Sequence, residues 1–175
     1  MRAIRFSNAF LVFVIFISHF FAPEGYVFYI HTMSEMAAQF APNAWILSTG
    51  FVGAGLGYIL FSLYYFRQQK LPLWLMVLTL LNGVTLILLA VFPTSYDGYA
   101  MPANETVVII HRYIAYVSNF ITITSLATHI VVSDTSLRYK HTIFLILAIV
   151  FSVFFIFYNH KCYTIFVISN RYLIV

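Results

Sequence analysis

The residues of this chain best suited to chemistry are a serine, two carboxylates and a histidine: Ser34, Glu35, Asp97 and His111. Carboxylates and imidazoles are ligands of zinc, and the same groups transfer protons in acid–base catalysis. Their spacing matches no compact metal motif, because the chain has neither an H-E-x-x-H nor a C-x-x-C sequence. We treat all of them as candidate catalytic residues, and Glu35, Asp97 and His111 as weaker candidates for metal ligands.

The composition indicates what kind of protein must position these residues. Of the 175 residues, 62% are hydrophobic and only 8% are charged, whereas soluble domains have about 25% charged residues. This excludes a soluble domain and a disordered chain, and the single cysteine, Cys162, excludes a disulfide scaffold. The net charge of +4 comes from scattered Lys and Arg, so no nucleic-acid partner is predicted. An integral membrane protein remains, with the lipid bilayer as its partner.

Long apolar runs predict an all-α fold, a multi-pass transmembrane helical bundle. A membrane-spanning helix needs about 20 apolar residues, and the runs lack the alternation of a membrane β-barrel. We predict five spans in one membrane domain, residues 1–175, at about residues 6–22, 44–66, 71–93, 107–132 and 142–158. The short apolar C-terminal segment from Thr164 to Val175 would be about 18 Å long as a helix, too short to cross. It is either interfacial, re-entrant or the remnant of a sixth helix, and whether the C-terminus is a native end stays open.

The basic residues predict the orientation of the bundle. Six of the nine Lys and Arg residues precede the first span or lie between spans on one side, which the positive-inside rule assigns to the cytoplasm. They are Arg2, Arg5, Arg67, Lys70, Arg138 and Lys140. We therefore predict a protein of the cell (inner or plasma) membrane with a cytoplasmic N-terminus. The opposite loops, residues 23–43 and 94–106, contain no Lys or Arg and bring Ser34, Glu35 and Asp97 to the outer level of His111. Any active or ligand site is expected at this outer face.

Small residues of the second span predict close helix packing. Gly53 and Gly57 form a G-x-x-x-G, a motif through which membrane helices approach each other, so a helix–helix partner is possible there.

Polar residues of the third and fourth spans are expected in the bundle interior. A stripe at steps of three and four residues comprises His111, Ala115, Ser118, Thr122, Ser125 and His129. It is either a packing surface, with hydroxyl groups bonded to carbonyls four residues earlier, or the wall of a polar cavity. Asn82 is expected to pair with Asn119 or with a nearby threonine such as Thr122, since an unsatisfied amide is costly in hydrocarbon.

Several short motifs carry a resemblance to a known family. They are the stretch His31–Met36, the stretch Ala41–Trp45 before the glycine-rich second span, and Phe92–Thr94 followed by an acidic loop and His111. With these motifs the chain resembles the bacterial and archaeal domain-of-unknown-function family 998. The resemblance implies a polytopic helical membrane protein, usually with one helix more than predicted here, and no established activity.

A looser likeness is to zinc hydrolases of the ceramidase and progestin-receptor superfamily. Those enzymes combine a serine, an aspartate and histidines around zinc, and the likeness would assign such roles to Ser34, Asp97 and His111. The late His-x-x-x-His helix of that superfamily is missing from this sequence.

Three functions remain open, and the sequence does not determine whether the protein is an enzyme. The first is the binding or passage of a lipid or other apolar small molecule, which expects a cavity that opens laterally or outward. The second is an outer-face, metal-dependent hydrolase acting on a lipid, which expects Glu35, Asp97 and His111 to converge. The third is a structural or accessory subunit with no site. No cofactor is expected, with a divalent metal such as zinc as the alternative, and the ligand and the oligomeric state stay open.

Overall fold

The computed structural model describes residues 2–29, 31–68, 72–96 and 103–132, and parts of the segment 142–153. Within these residues all regular structure is helical, and no strand is present. The elements in chain order are α1 (Arg2–Phe20), the short 3-10 helix η1 (Met33–Ala37), α2 (Ala44–Arg67), α3 (Leu73–Val91) and α4 (Glu105–Val132). The chain divides into two compact units, residues 1–122 and 123–175. The bundle described below belongs to the first unit.

Among the described residues, three helices are long and apolar enough to cross a membrane: α2, α3 and the Glu105–Ser125 part of α4. The first predicted span corresponds to α1, whose apolar stretch Phe6–Phe20 is shorter. The predicted fifth span, 142–158, and the C-terminal segment lie largely or wholly outside the described residues.

The helix ends differ from the predicted bounds for local reasons. Helix α3 ends at Val91 because Phe92 precedes Pro93, and a residue before proline is driven out of the helical conformation. Helix α4 begins earlier than predicted, at Glu105. The Oδ1 atom of Asn104 accepts a hydrogen bond from the backbone N–H of Val107 at 3.3 Å, which satisfies one of the free donors at the start of the helix.

Helices α2 and α3 cross through a pair of glycines. A Cβ placed on Gly55 would lie 2.6 Å from the carbonyl oxygen of Gly83, and a Cβ on Gly83 would lie 2.6 Å from the carbonyl oxygen of Gly55. Both contacts are with backbone, which cannot rotate away. The two helix backbones therefore approach closely, as small residues permit in membrane bundles.

Helices α1 and α2 pack through the G-x-x-x-G motif. A Cβ on Gly53 would lie 2.5 Å from the ring of Phe10, and one on Gly57 would overlap the hydroxyl of Ser7. The phenol of Tyr58 adds a polar link by donating to Oδ1 of Asn8 at 2.5 Å. The motif thus serves packing inside this chain, and a role with a second chain stays a prediction.

The loop between α1 and α2 folds back onto one end of the bundle. Met36 and Ala37 of η1 are buried in a cluster with Leu47, Phe51 and Leu86 of α2 and α3. Burial of this segment fixes the polar residues that flank it, among them His31 and Glu35.

The polar stripe of α4 faces packed surroundings within the first unit. His111 and Ser118 are buried. Thr122 donates to the carbonyl of Ser118 at 2.9 Å and lies 3.5 Å from Oδ1 of Asn82. The expected partnership of Asn82 with a threonine and the expected bonding of hydroxyls to the preceding turn are both present.

Exposed aromatic side chains lie near both ends of the helices. Tyr29 and Trp45 stand at the end that carries η1, and Tyr64 and Trp74 stand at the other end. Such belts are typical of the two membrane–water interfaces.

Candidate functional site

His31 and Glu35 form a close polar pair in the loop before α2. Nδ1 of His31 lies 2.7 Å from Oε2 of Glu35, and the two side chains are 24% and 19% exposed. A carboxylate accepts hydrogen bonds, so Nδ1 must carry the proton. When the imidazole is neutral, its other nitrogen, Nε2, is therefore left as an acceptor, a base or a metal ligand.

Glu35 is held in place by the residue that precedes η1. Its Oε1 atom accepts from both the backbone N–H and the hydroxyl of Thr32, each at 2.9 Å. The hydroxyl of Ser34 lies 3.1 Å from that of Thr32. The side chains of Thr32, Ser34, Glu35 and His31 thus form one hydrogen-bonded group, which includes two of the predicted catalytic residues.

Aromatic rings enclose the imidazole of His31. Tyr26 stacks on it with ring centres 5.6 Å apart, and Tyr96 meets it edge-on at 5.2 Å. Tyr96 also donates to the backbone carbonyl of Glu24 at 2.9 Å. Partial burial first, and then the negative charge of Glu35, raise the pKa of the Tyr26 phenol above its ordinary value. This phenol consequently stays neutral and can donate a hydrogen bond at physiological pH.

His111 belongs to a different set of hydrogen bonds. Its Nδ1 lies 2.5 Å from the carbonyl oxygen of Phe92, where α3 ends, and its side chain is buried. Asp97 lies outside the described residues. Convergence of Glu35, Asp97 and His111 therefore stays a prediction. Within the part of the chain that the structure describes, no group of three or more His, Cys, Asp or Glu residues is placed to hold a metal ion.

Gln39 is the residue that sequence reasoning missed. Its backbone N–H donates to the carbonyl of Thr94 at 2.8 Å, and its side chain accepts from the backbone N–H of Asn104 at 3.0 Å. The amide also donates to the carbonyls of Pro93 and Asn104 at 3.3 and 3.4 Å. Nothing in the pattern of the sequence marks this glutamine. His31 could have been found, since it stands four residues before Glu35 in a segment that the family motif includes.

A groove lies at the opposite end of the bundle from the His31–Glu35 pair. It runs between the N-terminal part of α1 and the C-terminal part of α2 and has a volume of about 940 Å³. Gly53 and Gly57 lack side chains and form its floor, and Ser7 adds a hydroxyl. The walls are apolar and aromatic: Phe6, Phe10, Leu56, Leu60, Phe61 and Tyr64. We call this feature the α1–α2 groove.

Comparison with known proteins identifies one family. A family model described as "Protein of unknown function (DUF998)" matches residues 8–170. The family resemblance predicted from the motifs is thereby confirmed. No curated protein and no solved structure matches the chain. The family match and the three helices capable of spanning a membrane agree on a transmembrane protein.

Proposed function

We propose that this chain, which belongs to the DUF998 family, is a five-span protein of the cell membrane that binds a lipid acyl chain in the α1–α2 groove. The observation that carries the proposal is the groove itself, a glycine-floored, aromatic-walled depression on two helices of a membrane protein. The same proposal treats residues 1–175 as one membrane domain in contact with the bilayer.

The proposed count of five spans adds α1 and the segment 142–158 to the three described helices that are long and apolar enough to cross a membrane. Helix α1 has 19 residues, which extend about 28 Å at 1.5 Å per residue, close to the hydrocarbon thickness of about 30 Å. The apolar segment 142–158 supplies the other span.

The distribution of the basic residues supports a cytoplasmic N-terminus under the positive-inside rule. Reporter fusions at Gln68 and at Asp97 should accordingly report opposite compartments. Fusions that report the same compartment would reject this topology.

The surroundings of the α1–α2 groove favour an acyl chain as its occupant. A groove on the side of membrane helices opens to hydrocarbon rather than to water. Its volume of about 940 Å³ lies within the range of small-molecule sites, about 300–1,000 Å³. None of the described residues that line the groove is charged, and Ser7, Tyr64 and Tyr65 provide the polar groups of the lining.

If the α1–α2 groove retains one lipid acyl chain selectively, that selectivity must come from packing. Lipid tails are as apolar as leucine, so no hydrophobic driving force distinguishes the groove from the bilayer around it. Close contacts with rings such as Phe6 and Phe10 provide dispersion attraction that a smooth helix surface does not. We therefore expect one chain to be held longer than the lipids that only surround the protein.

A groove-filling variant tests the proposal. Leu60 lines the groove and is 65% exposed, so Leu60→Trp should fill the groove without disturbing the contact between α1 and α2. Leu63 is 50% exposed on the same helix and does not line the groove, which makes Leu63→Trp the matched control. The number of lipids that each purified protein retains is measured by native mass spectrometry. Leu60→Trp should lose retained lipid, and Leu63→Trp should match the wild type.

Other occupants give different results in the same measurement. Equal lipid retention by both variants would reject lipid binding in the groove. If Leu60→Trp instead lowers the proportion of dimer without changing retained lipid, the groove is a contact between two copies. A structural or accessory subunit with no site predicts no difference between the variants in either readout.

The second candidate function is the outer-face metal-dependent hydrolase, and the His31–Glu35 pair is the observation that favours it. A carboxylate that fixes the tautomer of an imidazole is the arrangement that supports both metal ligands and general bases. Ser34 lies beside this pair, and Asp97 and His111 are the further predicted participants.

Zinc analysis of the purified protein, together with lipid hydrolysis by wild type and by Glu35→Gln, tests this function. A hydrolase predicts bound metal and an activity that the substitution abolishes. Metal-free protein without activity rejects it.

A further inference from the structure

We propose that the lipid in the α1–α2 groove is an anionic phospholipid, with its headgroup phosphate bound by Arg67. This inference builds on the proposed lipid-binding function and adds the class of lipid. The inference rests on the position of Arg67 relative to the groove and on the polar groups at the same end of the bundle. It also rests on the finding that no carboxylate in the described segments pairs with Arg67.

Arg67 continues the face of α2 that lines the groove. Gly53, Gly57, Leu60 and Tyr64 line it at steps of four, three and four residues, and Arg67 follows Tyr64 by three. Residues three and four apart occupy the same helix face. Arg67 is the last residue of α2 and is exposed, so its guanidinium can reach the level at which an acyl chain joins its headgroup.

Among the described residues, no carboxylate forms an ion pair with this guanidinium. Arginine binds phosphate through a planar, forked set of donors. A zwitterionic headgroup brings its own cation to the same place, whereas an anionic phospholipid leaves the charge of its phosphate available. A guanidinium that has no carboxylate partner within the described part of the chain, at the end of an apolar groove, therefore favours the anionic lipid.

Neighbouring groups make the same end of the bundle basic and amphipathic. Arg2 and Arg5 lie in the first turns of α1, next to Phe6, which lines the groove. Tyr64 contributes a phenol to the groove and stacks edge-on with Tyr65, the arrangement of aromatic side chains expected at headgroup level. A juxtamembrane cation attracts anionic lipids by an amount that corresponds to about a fivefold preference.

Two simpler roles of Arg67 predict no choice between lipids. The positive-inside rule places a basic residue at this loop whatever lipid is bound. A cation at a helix C-terminus is also favourable because of the helix dipole. Both roles concern topology and helix stability alone, so a lipid competition separates them from phosphate binding.

The experiment compares wild type, Arg67→Gln and Arg67→Lys in bilayers with equal amounts of phosphatidylglycerol and phosphatidylcholine. Native mass spectrometry gives both the total retained lipid and the ratio of the two lipids. We expect the wild type to retain phosphatidylglycerol in excess and Arg67→Gln to lose about fivefold of that preference with total lipid unchanged. Arg67→Lys should be intermediate, because an ammonium group keeps the charge but not the forked set of donors. A ratio that is the same in wild type and Arg67→Gln overturns the inference.

The preference of the wild type at low and high salt is a second measurement that needs no variant. Salt screens exposed charges, so the excess of phosphatidylglycerol should shrink as salt rises, and no excess at low salt overturns the inference. The lipid ratio tests the choice of headgroup, and the Leu60→Trp measurement tests lipid binding in the groove, so either can fail without the other. If Leu60→Trp lowers total lipid while the ratio is independent of Arg67, the groove binds lipid without choosing its headgroup. If total lipid is insensitive to Leu60→Trp, the proposed function itself is wrong.

Discussion

Nδ1 of His31 and Oε2 of Glu35 are 2.7 Å apart, and this short contact joins the middle of the loop between α1 and α2 to the 3-10 helix that packs on the bundle core. Glu35 reaches backwards to Thr32 with its other oxygen, so one carboxylate ties together the chain before and within η1. The next residue of η1, Met36, is 3% exposed and packs in the core. Loop order and core packing therefore depend on the same few residues.

Replacement of Glu35 by glutamine should destabilise this loop. The amide oxygen can still accept from Thr32, but the charge-assisted bond to His31 is lost. Because both side chains are partly exposed, we expect a loss of about 1 kcal/mol rather than the larger value of a buried pair. Thermal unfolding in detergent measures the change, with Glu24→Gln as the control because Glu24 is exposed in the same loop. Equal melting temperatures for the two variants would contradict a stabilising role of the pair.

The raised pKa of Tyr26 predicts a loss of stability at alkaline pH. The phenol titrates higher in the folded protein than its ordinary value of 10.0, through burial first and the charge of Glu35 second. The folded state therefore holds the proton more tightly than the unfolded state. The stabilisation is fully present below about pH 10 and is lost as pH rises through the folded pKa.

Thermal unfolding at about pH 9 and about pH 11 tests this prediction. The wild type should lose more stability between these two values than Tyr26→Phe, which has no phenol to ionise. Tyr29→Phe is the control, since Tyr29 is 73% exposed, and it should keep the wild-type slope. A slope for Tyr26→Phe equal to that of the wild type would show that Tyr26 makes no such contribution.

The close contact between Gly55 and Gly83 predicts that larger side chains are not tolerated where α2 and α3 cross. In Gly55→Ala the new methyl group would lie 2.6 Å from a backbone oxygen, so the helices must separate. Overpacking of this kind costs about 1–3 kcal/mol. Leu63→Ala on an exposed face of α2 is the control, and its effect should stay within about 0.5 kcal/mol. If Gly55→Ala melts at the same temperature as Leu63→Ala, the close crossing is not required for stability.

Hydropathy sufficed to predict the helical class and the positions of α1 to α4, because a long apolar run has few alternatives in a bilayer. The ends were less accurate where a local interaction decided them. Pro93 ends α3 before the apolar run ends, and the amide of Asn104 moves the start of α4 to Glu105. The number of spans stays a prediction, since length and composition qualify three helices within the described residues.

The candidate site was harder to predict because its geometry depends on loops. The family motif and the spacing of His31 and Glu35 were visible, but the enclosure of His31 by Tyr96, which is 65 residues away in the sequence, was not. The α1–α2 groove was also invisible, since it depends on which faces of two helices meet. The motif of Gly53 and Gly57 predicted close packing of helices, but it did not predict that the same glycines form the floor of a groove.

Gln39 predicts a coupling between the loop before α2 and the loop before α4, which no sequence motif indicates. Its side chain accepts from the backbone N–H of Asn104 and donates to the carbonyl of Pro93, so one residue bridges the loop before α2 and the loop before α4. In Gln39→Ala these backbone groups must turn to water. Because they are only partly buried, we expect a modest loss of about 1 kcal/mol. The stronger effect should be local: protease cleavage between α3 and α4 should become faster, because the start of α4 loses its hydrogen bonds to Gln39.

Gln39→Glu separates the two bonds, since a carboxylate can still accept from Asn104 but cannot donate to Pro93. Its cleavage rate should lie between those of wild type and Gln39→Ala. Gln68→Ala, at the exposed end of α2, controls for loss of a glutamine elsewhere and should cleave at the wild-type rate. Cleavage of Gln39→Ala at that same rate would mean that the two loops are held together without Gln39.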